Sequence, residues 1–571
     1  MTLLKQMQGS GAAHLSDDVL AGVITAILLV PQGMAYAMLA GLPPEMGLYA
    51  SILPPIVYAL IGSSRTLAVG PVAVAALMVA NALSTHFGNE SSEAALAGAM
   101  ILAAETGALL LLMGIFRVGT LVSFISHPVL SGFTSGAALL IVSSQLKHLS
   151  GIQLERGDLF ATVVPFFQRI GDVHVPTLLF GLISILLLLL ARKPMARFLV
   201  ARGIPHSTAA IIGRMAPLVI VIGSTVVAGV SQAEGYGLSV VGAIPGGLPV
   251  PDLDFLSAEG WVALLPSAVL IALVGYVESV SVAKVLAARR RQKIDANREL
   301  TALGMSNIAA AVGGAMPVAG GFSRSVVNFD AGARTQFAAI VTATLVAVVA
   351  AFFTDWFYYL PNAVLAAIIV VAVVQLVDIS GAVAIWRYDR ADGIALLATG
   401  LAVPFLGIES GLLIGIGLSL VLYLWRTSQP HMAILGRVPD TDHFRNVNRY
   451  RVDTLPSVLI IRVDENLYFA NANAVETYLM QKVACNEDVQ DVVLLMSAVN
   501  YVDSSALEML EHLETDFRAT GVSMHLAEVK GPVMDRLHHT RLGKALADSR
   551  IHLSAKHAWE ALGDEIHESS N

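Results

Sequence analysis

Apolar residues run in long blocks along most of this chain. Blocks of roughly 20 residues, the length of a membrane span, recur from position 18 to position 425. Continuous blocks lie at 19–39, 94–116, 177–191, 216–230, 262–285, 338–353, 363–377, 391–406 and 412–424. Others, at 46–61, 70–83, 119–145, 297–311 and 320–333, are shorter or broken by glycine and proline. The pattern predicts about fourteen helices. After Arg426 the rhythm changes. Charged residues become frequent, and strand-length apolar runs appear at 458–463, 492–496 and 522–526. Helical stretches at 472–483 and 505–519 separate them. This β-α-β-α-β order predicts a compact α/β domain. The expected division is a membrane domain over 1–430, a linker over 431–440 and a soluble domain over 441–566.

Composition agrees with lipid as the solvent for most of the chain. Of 571 residues, 55% are hydrophobic and 14% are charged, with mean hydropathy +0.69, whereas soluble chains carry roughly 25% charge. One soluble core cannot bury that much apolar surface, since cores stop growing near about 250–300 residues. Cys485 is the single cysteine, so no internal disulfide forms. The first apolar run follows Asp17 and Asp18 and leads into Pro31, without a basic region beside it. It reads as a retained membrane helix, not a cleaved signal.

Loop charges orient the helices. If the N-terminus is cytoplasmic, loops after even-numbered helices hold Arg65, Arg117, Arg192, Lys193, Arg197, Arg202, Arg289, Arg290, Arg291, Lys293, Arg387 and Arg390. Opposite loops hold Glu45, Glu90, Glu93, Glu234, Asp252, Asp254, Glu259, Asp355 and Glu409. The stretch after Gln145 is mixed, with Lys147, Arg156 and Arg169. Basic residues otherwise segregate to one side, which by the positive-inside rule places both termini and the soluble domain in the cytoplasm of a cell (inner) membrane protein.

Two segments carry candidate chemistry. Ala68-Val69-Gly70-Pro71-Val72 and Pro317-Val318-Ala319-Gly320-Gly321-Phe322-Ser323-Arg324 each precede a helix too short to span. A helix that starts inside the membrane exposes free N–H groups and a positive dipole end, which suit an anion. Paired broken helices in the two halves of a chain point to a transporter's midplane site. The alternative is a pair of glycine-rich kinks serving helix packing. Arg324 sits in apolar sequence, where a cation costs at least about 2.5–3.5 kcal/mol. It should face a wet cavity, or else pair with Glu278 or Asp330. Glu278 lies inside an apolar helix. Burial favours a neutral carboxyl and a nearby arginine favours a charged one, so a group between those influences can exchange a proton. Glu278 is therefore a candidate for proton coupling, with a permanent counter-ion as the competing view. Gln32 and Tyr36 follow Pro31 one turn apart, on one face of the first helix.

These motifs also resemble a known family. Pro31-Gln32-Gly33-Met34-Ala35-Tyr36, Gly41-Leu42-Pro43-Pro44-Glu45 and Gly321-Phe322-Ser323-Arg324-Ser325 are similar to the signatures of SulP anion permeases. That family includes plant sulfate transporters, prestin and pendrin. Asn500-Tyr501-Val502-Asp503-Ser504-Ser505 resembles the loop and helix start of a STAS domain. The resemblance implies two inverted seven-helix repeats, split into core and gate domains, followed by a cytoplasmic α/β STAS domain. It implies an anion site lined by Gln32, Tyr36, Val72, Phe322, Ser323 and Arg324, with Val72 and Ser323 giving backbone amides and Phe322 packing alongside. Glu278 matches a carboxylate linked to coupling, and family members are commonly homodimers. Val72 departs from members with an aromatic residue there. No threonine occurs at 273–285 or 320–328, which counts against the sodium-coupled pattern. Ser504 matches a serine phosphorylated in stand-alone STAS proteins, while Ser and Asp there are also ordinary helix caps.

The reading favours a secondary active transporter of small inorganic anions, sulfate first, with protons as the coupling ion. Bicarbonate or dicarboxylate transport, an uncoupled channel, and a membrane-anchored STAS regulator are the alternatives. A protein partner at the STAS domain is a further expectation. No enzyme activity, metal, cofactor or nucleic-acid partner is expected, and no Gly-x-x-x-x-Gly-Lys-Ser/Thr motif for ATP appears.

Overall fold

The computed structural model describes residues 12–87, 92–119, 126–154, 158–191, 193–203, 205–546 and 548–569. Glu90, Arg156, Arg192 and part of the expected 119–145 segment lie outside these residues. Each of the fourteen apolar blocks contains helix, although 46–61 is divided between Pro44–Tyr49 and Leu53–Ile61, and 70–83 and 320–333 begin on short strands. Leu15–Ala40, Pro44–Ile61, Glu93–Ile115, His127–Ser150, Trp261–Arg289, Asn362–Tyr388 and Ile408–Ser428 are long and apolar enough to cross a membrane.

One helix packs with small and polar residues inward. On Val175–Ala191, Thr177, Gly181 and Ser184 are buried, while Leu179, Leu182, Ile183 and Leu186 are exposed. That is the reverse of a soluble helix and follows from lipid being as apolar as leucine. Glycine sets how closely the helices approach. A Cβ on Gly47 would lie 2.0 Å from the Gly33 carbonyl oxygen, so the first two helices meet backbone to backbone.

Several elements position the candidate residues. In chain order they are α1 (Ala12–Ala40), β1 (Val69–Gly70), α2 (Ala73–Phe87), α3 (Trp261–Arg289), α4 (Ala296–Val312), β2 (Ala319–Gly320) and α5 (Phe322–Asp330). At one end of α4, Glu299 is fully buried. Its carboxylate accepts from Tyr58 Oη at 2.6 Å, from Ser63 N and Oγ at 2.7 Å each, and from Ser64 N at 3.1 Å. The Gly62-Ser63-Ser64-Arg65 turn that leads into β1 is thereby fastened to α4.

The chain divides into two compact units after Gly417. The second contains β3 (Met432–Arg437), β4 (Phe444–Asn446), β5 (Val458–Val463), β6 (Asp491–Leu495), β7 (Ser523–Ala527) and β8 (Ile551–His552). Their order in the sheet is β4-β3-β5-β6-β7-β8. The neighbours from β5 to β8 run parallel, and β3 pairs antiparallel with β4 and β5. The expected strands correspond to β5, β6 and β7, and the expected helices to Ala472–Ala484 and Ser504–Ala519. Within the stretch expected as a linker, Met432–Arg437 form β3, an internal strand with Ala433 and Leu435 buried. Its short apolar run follows a membrane helix directly, and its pairing with β4 and β5 makes it a strand.

Candidate functional site

The two broken segments meet. β1 and β2 pair antiparallel, with Val69 opposite Gly320 and Gly70 opposite Ala319. Each strand is only two residues long and each leads into a short helix, α2 or α5. Non-helical backbone at membrane depth needs its polar groups satisfied from within the protein. On the β1 side, Ser325 Oγ accepts from Ala68 N at 2.9 Å, and Asn328 Nδ2 donates to the Thr66 carbonyl at 3.1 Å. Gln336 Nε2 donates to the Ser64 and Leu67 carbonyls at 2.9 and 3.1 Å. On the β2 side, Gly320 N donates to Ser279 Oγ at 2.7 Å. Asn307 accepts from Val318 N and donates to its carbonyl, at 2.9 and 3.0 Å. A Cβ on Gly320 would lie 2.7 Å from Leu67, and one on Gly321 would lie 2.9 Å from Arg324 Nη2. The glycine pair thus lets β2 reach Leu67 and lets the guanidinium lie against the backbone.

The helix starts are open. The Val72 carbonyl accepts from Ala76 N and the Gly321 carbonyl from Ser325 N, the first intrahelical bonds of α2 and α5. The amides before Ala76 and Ser325 have no intrahelical acceptor and point out of the two N-termini. Arg324 is 3% exposed. Its Nη1 donates to the Pro71 carbonyl at 2.7 Å, and its Nε and Nη2 have no hydrogen-bond partner. A buried guanidinium with two idle donors is costly unless something accepts from it. No ion pair joins Arg324 to Glu278 or Asp330 among the described residues, so the structural salt-bridge reading of Arg324 gives way to its bond with Pro71.

A cleft of ≈ 50 Å³ opens at this point; about 10–15 Å³ seats one water. Gln32, Tyr36, Val72, Glu278, Phe322, Ser323 and Arg324 line it, and Ala372, Val373 and Leu376 form the facing wall. Gln32, Tyr36 and Val72 are buried, while Phe322 is half exposed at the rim. The structure therefore brings all seven of the expected membrane residues to one place. A larger cavity of ≈ 260 Å³ lies between Met38, Asn81, Gln145 and Phe405. Its lining mixes Lys147 and His148 with Asp158, so size alone does not select the anion site.

Ser504 belongs to the second unit. It is exposed at the first position of Ser504–Ala519. Asp503 performs the capping, accepting from Ala506 N at 2.9 Å and from Phe469 N at 2.9 Å. The sequence reading missed Glu105, which is 6% exposed on the apolar helix Ser92–Ile115. Its Oε2 and the adjacent Thr106 Oγ1 are buried without a hydrogen-bond partner. The signal was available, since a lone carboxylate in an apolar block is what singled out Glu278.

Comparison with known proteins agrees with this arrangement. The sulfate permease family model matches residues 15–399, and the STAS domain model matches residues 449–558. The chain belongs to the sulfate permease family. This permease is 37% identical to the probable sulfate transporter 4.2 of Arabidopsis thaliana, over 90% of this chain and 76% of the relative. It is 34% identical to a probable sulfate transporter of Mycobacterium tuberculosis, over 96% and 95% of the two chains. Among solved structures, the murine solute carrier 26 family member A9 anion transporter in its inward-facing state superposes with TM-score 0.89 at 24% identity. The match covers 98% of this chain and 94% of that one. At that identity the likeness speaks for the fold.

Proposed function

We propose that the permease is a secondary active transporter of small anions, sulfate first, working by alternating access around the Arg324 cleft. The observation that carries this reading is the buried guanidinium with Nε and Nη2 unpartnered beside the two open helix starts. An oxyanion offers several acceptors to these donors at once, and a charge-assisted bond to arginine is stronger than a neutral one. Gln32 and Tyr36 add polar side chains from α1, and Phe322 borders the cleft. Ala372, Val373 and Leu376 give an apolar wall, which can part from the polar side without breaking hydrogen bonds. The names of the relatives support sulfate as the first substrate to test.

Protons are the proposed coupling ion and Glu278 the group that carries them, because it lines the same cleft. The proposed setting is a homodimer in the cell (inner) membrane, with both termini and the STAS domain in the cytoplasm, where the domain can meet a protein partner. Purified protein in proteoliposomes tests the reading, with labelled sulfate, bicarbonate and fumarate and with or without an inward proton gradient. Sulfate uptake that rises with the gradient is expected. No uptake of any of the three overturns transport, and gradient-independent uptake overturns proton coupling.

A further inference from the structure

A second site lies away from the anion cleft, where Val175–Ala191 and His206–Val230 are joined by the short helix Lys193–Ala201. The sequence there is unusual in its charge. From Val173 to Ala233 it carries Arg192, Lys193, Arg197, Arg202 and Arg214 and no Asp or Glu. On the short helix, Arg197 and Phe198 are both exposed. The Arg202 guanidinium stands 4.8 Å over the Phe198 ring. A basic helix that also exposes a phenylalanine has the character of one lying in the plane of a membrane interface.

Beside this helix the three elements enclose a groove of ≈ 540 Å³, within the range of small-molecule sites, about 300–1,000 Å³. Leu187, Leu190, Met195, Phe198, Val219 and Ile220 are among its walls, and every lining side chain is apolar. Acyl chain is the occupant that suits such a groove at the edge of a span, and Arg202, stacked on the Phe198 of its wall, with the exposed Arg197 beside Phe198 in sequence, suits a phosphate. A second copy of this chain suits it poorly, because a two-fold contact would set the same acid-free, basic segment against itself.

We propose that this groove seats an anionic glycerophospholipid, with an acyl chain along Leu187 and Leu190 and the phosphate on Arg197 and Arg202. The proposal is independent of the anion cleft and of what passes through it. The net negative headgroup decides the selectivity. A zwitterionic lipid presents the same phosphate, but its cationic end is repelled by the basic rim.

The test uses the full chain, purified and delipidated in detergent, then titrated with phosphatidylglycerol or phosphatidylcholine and weighed as an intact complex. The wild type is expected to retain phosphatidylglycerol in preference. The double variant R197Q/R202Q is expected to retain it about 10–30-fold more weakly, the size expected for two basic residues at an anionic surface. The variant L190W, which fills the groove, is expected to lose both lipids while keeping the wild-type helical circular dichroism. Equal retention of the two lipids by the wild type overturns the proposal, as does a double variant that keeps the preference. Protein dimers that fall apart in L190W, with lipid retention unchanged, would assign the groove to a second copy and overturn it as well.

Discussion

Arg324 donates from Nη1 to the carbonyl of Pro71 at 2.7 Å, so one side chain fastens the start of α5 to the start of α2. The bond orients the guanidinium. With Nη1 held by the backbone, Nε and Nη2 are left for the cleft. The planar fork of arginine can do both, whereas a lysine ammonium is a point charge on a flexible stem.

Arg324→Lys should therefore keep the charge and lose the geometry. The expected outcome is a rise in KM for sulfate of roughly 10–100-fold, the loss of one or two charge-assisted bonds. Arg324→Ala should abolish saturable uptake. Initial-rate uptake in proteoliposomes checks both, and a lysine variant with wild-type KM would show that the fork is not what binds the anion.

Glu278 lines the same cleft as Arg324. Glu278→Gln keeps the shape and removes the exchangeable proton. Sulfate binding to the purified protein should survive, and stimulation of uptake by an inward proton gradient should vanish. An unchanged gradient response would remove Glu278 from the coupling step.

The Glu299 carboxylate gathers Tyr58, Ser63 and Ser64 into one buried knot. Tyr58→Phe leaves one lobe of a charged acceptor unsatisfied and should lower stability by about 1.5–3 kcal/mol. Thermal melting in detergent reads this directly. Tyr58 is not among the residues that line the cleft, so KM for sulfate should stay near the wild-type value in the folded fraction.

In the second unit, His525 Nδ1 lies 3.1 Å from His552 Nε2, and His525 Nε2 lies 3.0 Å from Asp491 Oδ1. Burial, with His525 and His557 alongside, holds the His552 imidazole down to about 4, while Asp491 opposes this. The unfolded chain, with histidine near about 6.5, takes up the proton first. Stability of this unit should fall as pH drops from about 6.5 towards 4. Hydrogen-exchange protection factors at Leu526 and Ala527, which pair with β8, should fall over that window once the intrinsic pH dependence of exchange is divided out. His552→Asn should flatten the response.

Ser504 gives a contrast between capping and regulation. Asp503→Ala should cost the second unit about 1 kcal/mol, whereas Ser504→Ala should leave its stability unchanged. Phosphate analysis of the purified protein and sulfate uptake by Ser504→Ala decide whether the hydroxyl has a regulatory role. A phosphate-free protein with unaltered uptake would leave it none.

Much of this molecule is written in local sequence. The apolar blocks placed the helices, because a span needs only length and hydropathy. The Gly70-Pro71 and Gly320-Gly321 breaks marked where helices begin inside the membrane, because glycine and proline act on the backbone where they stand. Arg324 and Glu278 stood out because a charge in an apolar run is costly wherever the chain goes. Tertiary structure decided the rest. Ser279, Asn307, Ser325, Asn328 and Gln336 look like ordinary polar residues in sequence, yet they satisfy the backbone around β1 and β2 from distant helices. β3 became an internal strand only by pairing with β4 on one side and β5 on the other. Arg324 could have paired with a carboxylate, and its bond to Pro71, 253 positions away, was settled by the pairing of β1 with β2. Local physics fixed which residues were expensive to bury; only the fold determined which partners they met.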